Sequence, residues 1–90
     1  MFKMSVIDRY VTRRGDSPLV VFTGTIIEGT VRAGDIIDIV GSTVSENAVC
    51  AGVETKPPGR VPVAGMIVGV AVTRTAAETD KDVREITAVN

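Results

Sequence analysis

Histidine and tryptophan are absent from this sequence of 90 residues, and cysteine occurs only once. Without histidine the chain lacks the usual general base near neutral pH, which excludes a Ser-His-Asp arrangement and histidine-ligated metals. The single cysteine, Cys50, cannot form an intramolecular disulfide, and its strand-like surroundings favour a buried, inert thiol. We therefore predict that the chain is not an enzyme and that it uses neither a metal nor a cofactor.

Aromatic residues make up only 3% of the sequence although hydrophobic residues make up 44%, so the core must be built from Val, Ile, Ala and Met. This composition, with nine Gly and four Pro, favours many short strands within one domain. The longest uncharged apolar run, Val61–Thr73, is too short to cross a bilayer, and the N-terminus has no signal-peptide pattern. We predict a cytoplasmic protein that does not enter a membrane.

The chain begins with a half-buried strand pattern, in which the apolar residues Phe2, Met4 and Val6 alternate with polar ones. After Val6 the apolar set moves to Ile7 and Val11. A slip of phase within one strand is typical of a β-bulge, which barrels use to bend.

Two runs rich in β-branched residues follow, at Val20–Ile27 and Ile36–Val40, and both have the composition of strands. The segment between them, Glu28–Asp35, is predicted to be a tight, irregular connection that folds the second strand back on the first. Val31 is predicted to pin this connection to the core.

Polar stretches at Arg13–Pro18 and Gly41–Asn47 are predicted to be loops because Gly, Pro, Ser and Asp punctuate them. Ala48–Thr55 and Met66–Thr73 are predicted to be the next two strands, joined through a stiff turn at Lys56–Arg60. The residues expected to share one face are Val49, Ala51 and Val53 in the earlier strand and Met66, Val68, Val70 and Val72 in the later one.

The sequence divides into a barrel-like region, residues 1–75, and a charged tail, residues 76–90. In the tail a turn of helix over Asp80–Glu85, capped by Thr79, is one expectation, and a last strand at Ile86–Val89 is another. A frayed terminus is the third. Taken together, the segments predict an all-β fold, a small closed Greek-key β-barrel of roughly six or seven strands.

Three consecutive segments, Phe22-Thr23-Gly24, Gly29–Asp35 and Ile37–Gly41, resemble the second domain of translational GTPases, and of elongation factor Tu most of all. The resemblance extends from about Phe2 to about Thr73. It implies a translation-factor barrel that binds its partners without catalysis. These 90 residues contain nothing of a GTPase domain, so we expect no GTPase activity from them alone, and a GTPase domain in trans is one expected partner.

Basic side chains in or next to the predicted loops form the candidate RNA-binding set: Arg9, Arg13, Arg14, Arg32, Lys56 and Arg60. If the loops meet at one end of the barrel, these residues form a local patch for the phosphates of ribosomal RNA or tRNA. The alternative is that they are ordinary solubilising charges, partnered by Asp16, Asp35 or Glu54. The overall charge of −1 gives no general attraction to nucleic acid.

In the family a pocket on this domain holds the aminoacylated 3′ end of tRNA, and the resemblance places Asp8, Tyr10 and Thr23 at pocket positions. Apolar residues replace the family's other polar pocket groups, with Met66 and Ile67 standing where a Glu-Asn pair is expected. The replacements remove hydrogen bonds that an adenosine and an amino group would need. They leave open a second function, in which an apolar surface around Tyr10 and Met66 docks a protein partner.

Overall fold

Six antiparallel strands form a closed barrel in the computed structural model, which describes residues 1–43, 45–73 and 82–89. The strands are β1 (Phe2–Arg14), β2 (Ser17–Glu28), β3 (Ile36–Gly41), β4 (Ser45–Glu54), β5 (Ile67–Thr73) and β6 (Val83–Ala88). Their order around the barrel is β1-β2-β5-β4-β3-β6, which confirms the predicted small all-β barrel. The described part of the chain has no helix that is long and apolar enough to span a membrane.

Strands β2 to β5 form a Greek key, because β3, β4 and β5 are successive antiparallel neighbours and β2 lies beside β5. The prediction that β3 folds back on β2 is wrong, since β3 pairs with β4 and β6. The intervening connection is long enough to cross one end of the barrel instead of turning tightly. Val31, in the middle of this connection, is only 1% exposed, which confirms that it anchors the crossing to the core.

A β-bulge interrupts β1 at Ile7, where the register against β2 shifts between Val6 and Asp8. The predicted bulge is therefore confirmed. The apolar residues that follow the slip do not enter the core, because Ile7 and Val11 are 66% and 65% exposed. β1 pairs with β6 only over Phe2–Ser5, so the part of β1 before the bulge closes the barrel. The part of β1 after the bulge pairs with β2 alone.

The loop predicted at Arg13–Pro18 is instead a tight hairpin, in which Arg14 pairs with Ser17 and Arg13 with Pro18. Gly15 has a φ of 60°, which suits the first position of a two-residue type II′ turn. Pro18 can lie inside β2 because β5 pairs with β2 only from Leu19 onward.

Strand β4 differs from its prediction in both extent and phase. It begins at Ser45, so residues 45–47 of the predicted second loop are strand. A register shift between Cys50 and Gly52 breaks the alternation, so Val49 is 57% exposed whereas Val53 packs against the core. The predicted shared face of Val49, Ala51 and Val53 is therefore wrong. Cys50 is buried as predicted, and burial raises the pKa of its thiol.

The barrel interior is filled by aliphatic side chains around two phenylalanines. Its fully buried members include Phe2, Met4, Phe22, Ile26, Ile37, Ile39, Val70, Val72 and Ile86. On β5 the predicted face is confirmed, with Val68, Val70 and Val72 inside and Met66 packed against them. A smaller cluster of Leu19, Val21 and Ala71 lies apart from the interior, because these residues alternate with the inward-facing ones.

The last strand, β6, closes the barrel between β1 and β3. It begins at Val83, three residues before the predicted Ile86, so residues 83–85 of the predicted helical turn are strand. Thr79 and residues 80–81 of that turn lie outside the described residues. The barrel thus includes part of the segment that the sequence assigned to a tail.

Gly24 on β2 lies directly against the backbone of β1. A Cβ atom at this position would lie 1.8 Å from the backbone oxygen of Ser5, closer than any atom pair tolerates. No side chain can rotate away to relieve the contact, since the obstructing atom belongs to the backbone of the neighbouring strand. Glycine is therefore required here for space.

We expect Gly24→Ala to lower the free energy of unfolding by more than about 3 kcal/mol, because the backbones of β1 and β2 would have to separate. Urea denaturation followed by circular dichroism measures the change. The neighbouring Thr25→Ala, which removes a half-buried side chain, should cost less than about 1 kcal/mol. A Gly24→Ala protein as stable as Thr25→Ala would show that the close approach imposes no constraint.

Candidate binding groove

An open groove of about 960 Å³ lies on the barrel surface between the β4–β5 loop, residues 55–66, and the neighbouring parts of β1, β2 and β5. Its described lining combines predicted pocket positions with predicted cationic residues: Tyr10, Thr23, Met66, Ile67, Lys56 and Arg60. Glu54, Thr55 and Pro58 complete the wall formed by the end of β4 and the loop. We call this feature the groove.

One predicted pocket position, Asp8, is not among the described residues that line the groove. Asp8 pairs with Thr23 in the strand register, and its Oδ1 accepts a hydrogen bond of 2.7 Å from the backbone N–H of Arg9. The carboxylate therefore serves the β1 backbone just after the bulge. Tyr10, two residues on, is the β1 residue that reaches the groove.

The hydroxyl of Thr55 organises the loop wall. It donates to the carbonyl oxygen of Pro57 at 2.9 Å and accepts from the backbone N–H of Arg60 at 3.2 Å. Thr55 is only 7% exposed, so these bonds are shielded from competing water. They close residues 55–60 into a ring that carries Lys56 and Arg60 on the groove wall.

Further hydrogen bonds fasten the rest of the loop to the barrel. The Thr30 hydroxyl donates to the carbonyl oxygen of Pro62, and the backbone N–H of Gly65 donates to the carbonyl oxygen of Ile26 at 2.8 Å. A loop held at both of these points loses little conformational entropy when a ligand arrives. The groove is thus preformed.

Tyr10 and Glu54 join the two sides of the groove although 44 positions separate them in the chain. The Tyr10 hydroxyl donates to Glu54 Oε2 at 2.8 Å. This hydrogen bond raises the pKa of Tyr10, with smaller contributions from burial and from the negative charge of Glu54. Gly69 on β5 lies between the strands that carry the pair. A Cβ atom at Gly69 would lie 2.9 Å from Val21 Cγ1 and 3.4 Å from Glu54 Oε2, so the absence of a side chain here leaves room for the Glu54 carboxylate.

The six predicted RNA-binding residues do not lie at one end of the barrel. Strand register places the hairpin turn that carries Arg13 and Arg14 at one end, whereas the connections that carry Arg32, Lys56 and Arg60 are at the other. The Arg14 guanidinium folds onto β4, where Nη1 donates to the carbonyl oxygen of Ala51 at 3.3 Å. Arg9 pairs with Phe22 on the body of the barrel. The single basic patch expected from clustered loops is not formed.

Two of the three acidic residues expected as partners of these cations accept hydrogen bonds in the structure. Glu54 accepts from the Tyr10 hydroxyl, and Asp35 Oδ2 accepts from the backbone N–H of Arg32 at 3.1 Å. Lys56 and Arg60 both line the groove. Within the described ranges no three His, Cys, Asp or Glu side chains are grouped so that they could hold a metal ion.

Sequence reasoning missed Glu54 and Thr55 as groove residues. A threonine directly before Lys-Pro-Pro-Gly is a usable signal, because threonine hydroxyls often bond backbone groups within turns. No local signal identifies Glu54, since its partner Tyr10 is distant in the sequence.

Comparison with protein-family models and with curated proteins found no match to this sequence. The likeness to the second domain of translational GTPases therefore rests on the sequence pattern alone. The case for the groove rests on its geometry.

The hydrogen bond to Glu54 makes the ionisation of Tyr10 a direct report on the groove. Because Tyr10 is the only tyrosine and tryptophan is absent, absorbance near 295 nm follows this one side chain. We expect Glu54→Ala to lower the pKa of Tyr10 toward its ordinary value of about 10. Glu28→Ala, outside the groove, should leave it unchanged.

Because the pKa of Tyr10 is raised in the folded protein, the stability of the fold depends on pH. The stability that the Tyr10–Glu54 hydrogen bond contributes is fully present below the pKa of unfolded tyrosine, about 10, and is lost as pH rises through the higher folded value.

In the titration experiment, equal curves for Glu54→Ala and the unmodified protein would show that the hydrogen bond between Tyr10 and Glu54 does not form in solution.

Proposed function

We propose that the chain is a non-catalytic binding module of the elongation factor Tu domain 2 type, which contacts RNA of the translation machinery through the groove. The observation that carries the proposal is a juxtaposition. Tyr10, Thr23, Met66 and Ile67 line the same groove as the Lys56–Arg60 loop. The positions that the resemblance assigns to an RNA-end pocket thus lie beside two cations.

The dimensions and chemistry of the groove favour single-stranded RNA over duplex. A concave site with one aromatic ring can accept an unstacked base, whereas the broad surface of an A-form helix cannot enter it. Lys56 and Arg60 supply charge for the backbone, and Pro58, Met66 and Ile67 supply apolar contact. Since the net charge is only −1, attraction to RNA comes from this local set and should weaken steeply with salt.

Charge reversal at the groove tests the proposal. We expect the double variant Lys56→Glu/Arg60→Glu to lose most of its cosedimentation with ribosomes and its binding to bulk tRNA at low salt. The matched control Arg13→Glu/Arg84→Glu makes the same change of charge outside the groove and should retain binding. The unmodified protein should lose affinity between about 50 and 200 mM salt.

Three results would count against RNA binding at the groove. Equal loss in both double variants would mean that binding depends on overall charge or on the hairpin. Binding that does not respond to salt would mean that phosphates are not contacted. Absence of binding at every salt concentration would remove the proposal.

A second function, docking of a protein partner such as a GTPase domain in trans, is favoured by one observation. Apolar side chains beside the groove are exposed although the loop that carries two of them is firmly anchored, with Val61 71%, Val63 48% and Ile67 63% exposed. A contiguous patch of exposed apolar side chains on a protein surface often marks an interaction site.

If the surface docks a protein, a second copy of the chain is the simplest partner to test. We then expect a concentration-dependent dimer in analytical ultracentrifugation, lost in Ile67→Asp and retained in Val49→Asp, which is similarly exposed on another strand. A strict monomer at high concentration would argue against self-docking.

A further inference from the structure

We infer that the groove selects an unpaired guanine, through the carboxylate of Glu54 and the ring of Tyr10. This inference rests on the proposed function and adds a base preference to it. The observations that carry it are the fixed orientation of Glu54, the exposed ring beside it and the cations next to it in the chain.

Glu54 offers an acceptor of defined direction. Its Oε2 accepts from the Tyr10 hydroxyl at 2.8 Å, and within the described ranges its Oε1 has no protein donor. An ionised carboxylate only accepts hydrogen bonds, so it attracts base edges that carry N–H donors and repels edges that carry acceptors. The hydrogen bond from Tyr10 keeps the group from turning away.

The four bases differ in what they present to such a carboxylate. Guanine carries two adjacent donors, N1–H and the N2 amino group, whereas adenine and cytosine pair one amino group with a ring-nitrogen acceptor. Uracil presents one N–H between two carbonyl oxygens. Of the unpaired bases, guanine alone can give the carboxylate two hydrogen bonds from neighbouring atoms without bringing an acceptor against it.

Tyr10 supplies the surface on which that base would lie. Tyr10 is 45% exposed as a residue, and it lines the groove together with Glu54. Stacking of a base on an aromatic ring contributes about 1–3 kcal/mol and does not depend strongly on base identity. In this arrangement the ring provides affinity and the carboxylate provides selection.

The cations Lys56 and Arg60 line the groove together with Glu54. Lys56 follows Glu54 by two residues, which span at most about 7 Å. The Thr55 hydroxyl holds the backbone of Arg60 against the start of the loop at 3.2 Å. Base and phosphate contacts are therefore within the reach of one nucleotide.

Fluorescence polarisation with a labelled nine-nucleotide oligouridylate carrying one central G, inosine, A or C tests the preference. We expect the guanine oligonucleotide to bind roughly tenfold more tightly than the adenine one, in line with a good two-bond contact to a base. Inosine, which keeps N1–H but lacks the N2 amino group, should be intermediate. Glu54→Gln should abolish the preference, whereas Glu28→Gln, outside the groove, should leave both the preference and the affinity unchanged.

The contrary outcomes distinguish failure of the guanine preference, of the role of Glu54 and of the proposed function. If the four oligonucleotides bind equally and their affinity still depends on salt, the guanine preference is overturned and RNA binding stands. If Glu54→Gln keeps the preference while urea unfolding shows the variant to be as stable as the parent, Glu54 is not the selecting group. If no oligonucleotide binds at low salt, the preference and the proposed function are both overturned.

Discussion

The bulge at Ile7 is the constraint on which the rest of the structure depends. Before it, β1 pairs with β6 over Phe2–Ser5 and closes the barrel. After it, the same strand continues with β2 alone and carries Tyr10 to Glu54 on β4. A regular strand would keep one phase throughout, and the side chains beyond Val6 would then change faces. The wall of the groove that Tyr10 forms thus depends on the residue inserted at Ile7.

The groove is a concave surface formed before any ligand is present, in a domain with little aromatic content. Its walls come from elements far apart in sequence, and hydrogen bonds from side chains of modest size hold them: Thr30, Thr55 and the Tyr10–Glu54 pair. Because these contacts exist without a ligand, the loop and these side chains lose little conformational entropy when a ligand binds.

The sequence pattern predicted the all-β barrel and several of its local features. It did not predict the features that depend on pairing between strands distant in the sequence. Alternation located the inward face of β5, and the slip of phase located the bulge at Ile7. The partners of β3 and the reversed phase at Val49 are set by the barrel-crossing connection and a second bulge, which local patterns do not encode. The resemblance indicated Tyr10 and Met66 as surface positions. It could not indicate Glu54, whose position in the groove depends on the closure of the barrel.

A ¹H–¹⁵N correlation spectrum recorded during titration with a short guanine-containing single-stranded RNA tests the central claim, that the groove is the binding site, most directly. Every backbone amide reports its own environment, so the binding face can be read without any mutation. We expect shifts concentrated at the groove residues that have an amide, which are Tyr10, Thr23, residues 53–56, residues 59–60 and residues 65–69, with little change in the Gly15 hairpin. Shifts centred on that hairpin, or on the exposed face around Val49, would contradict it.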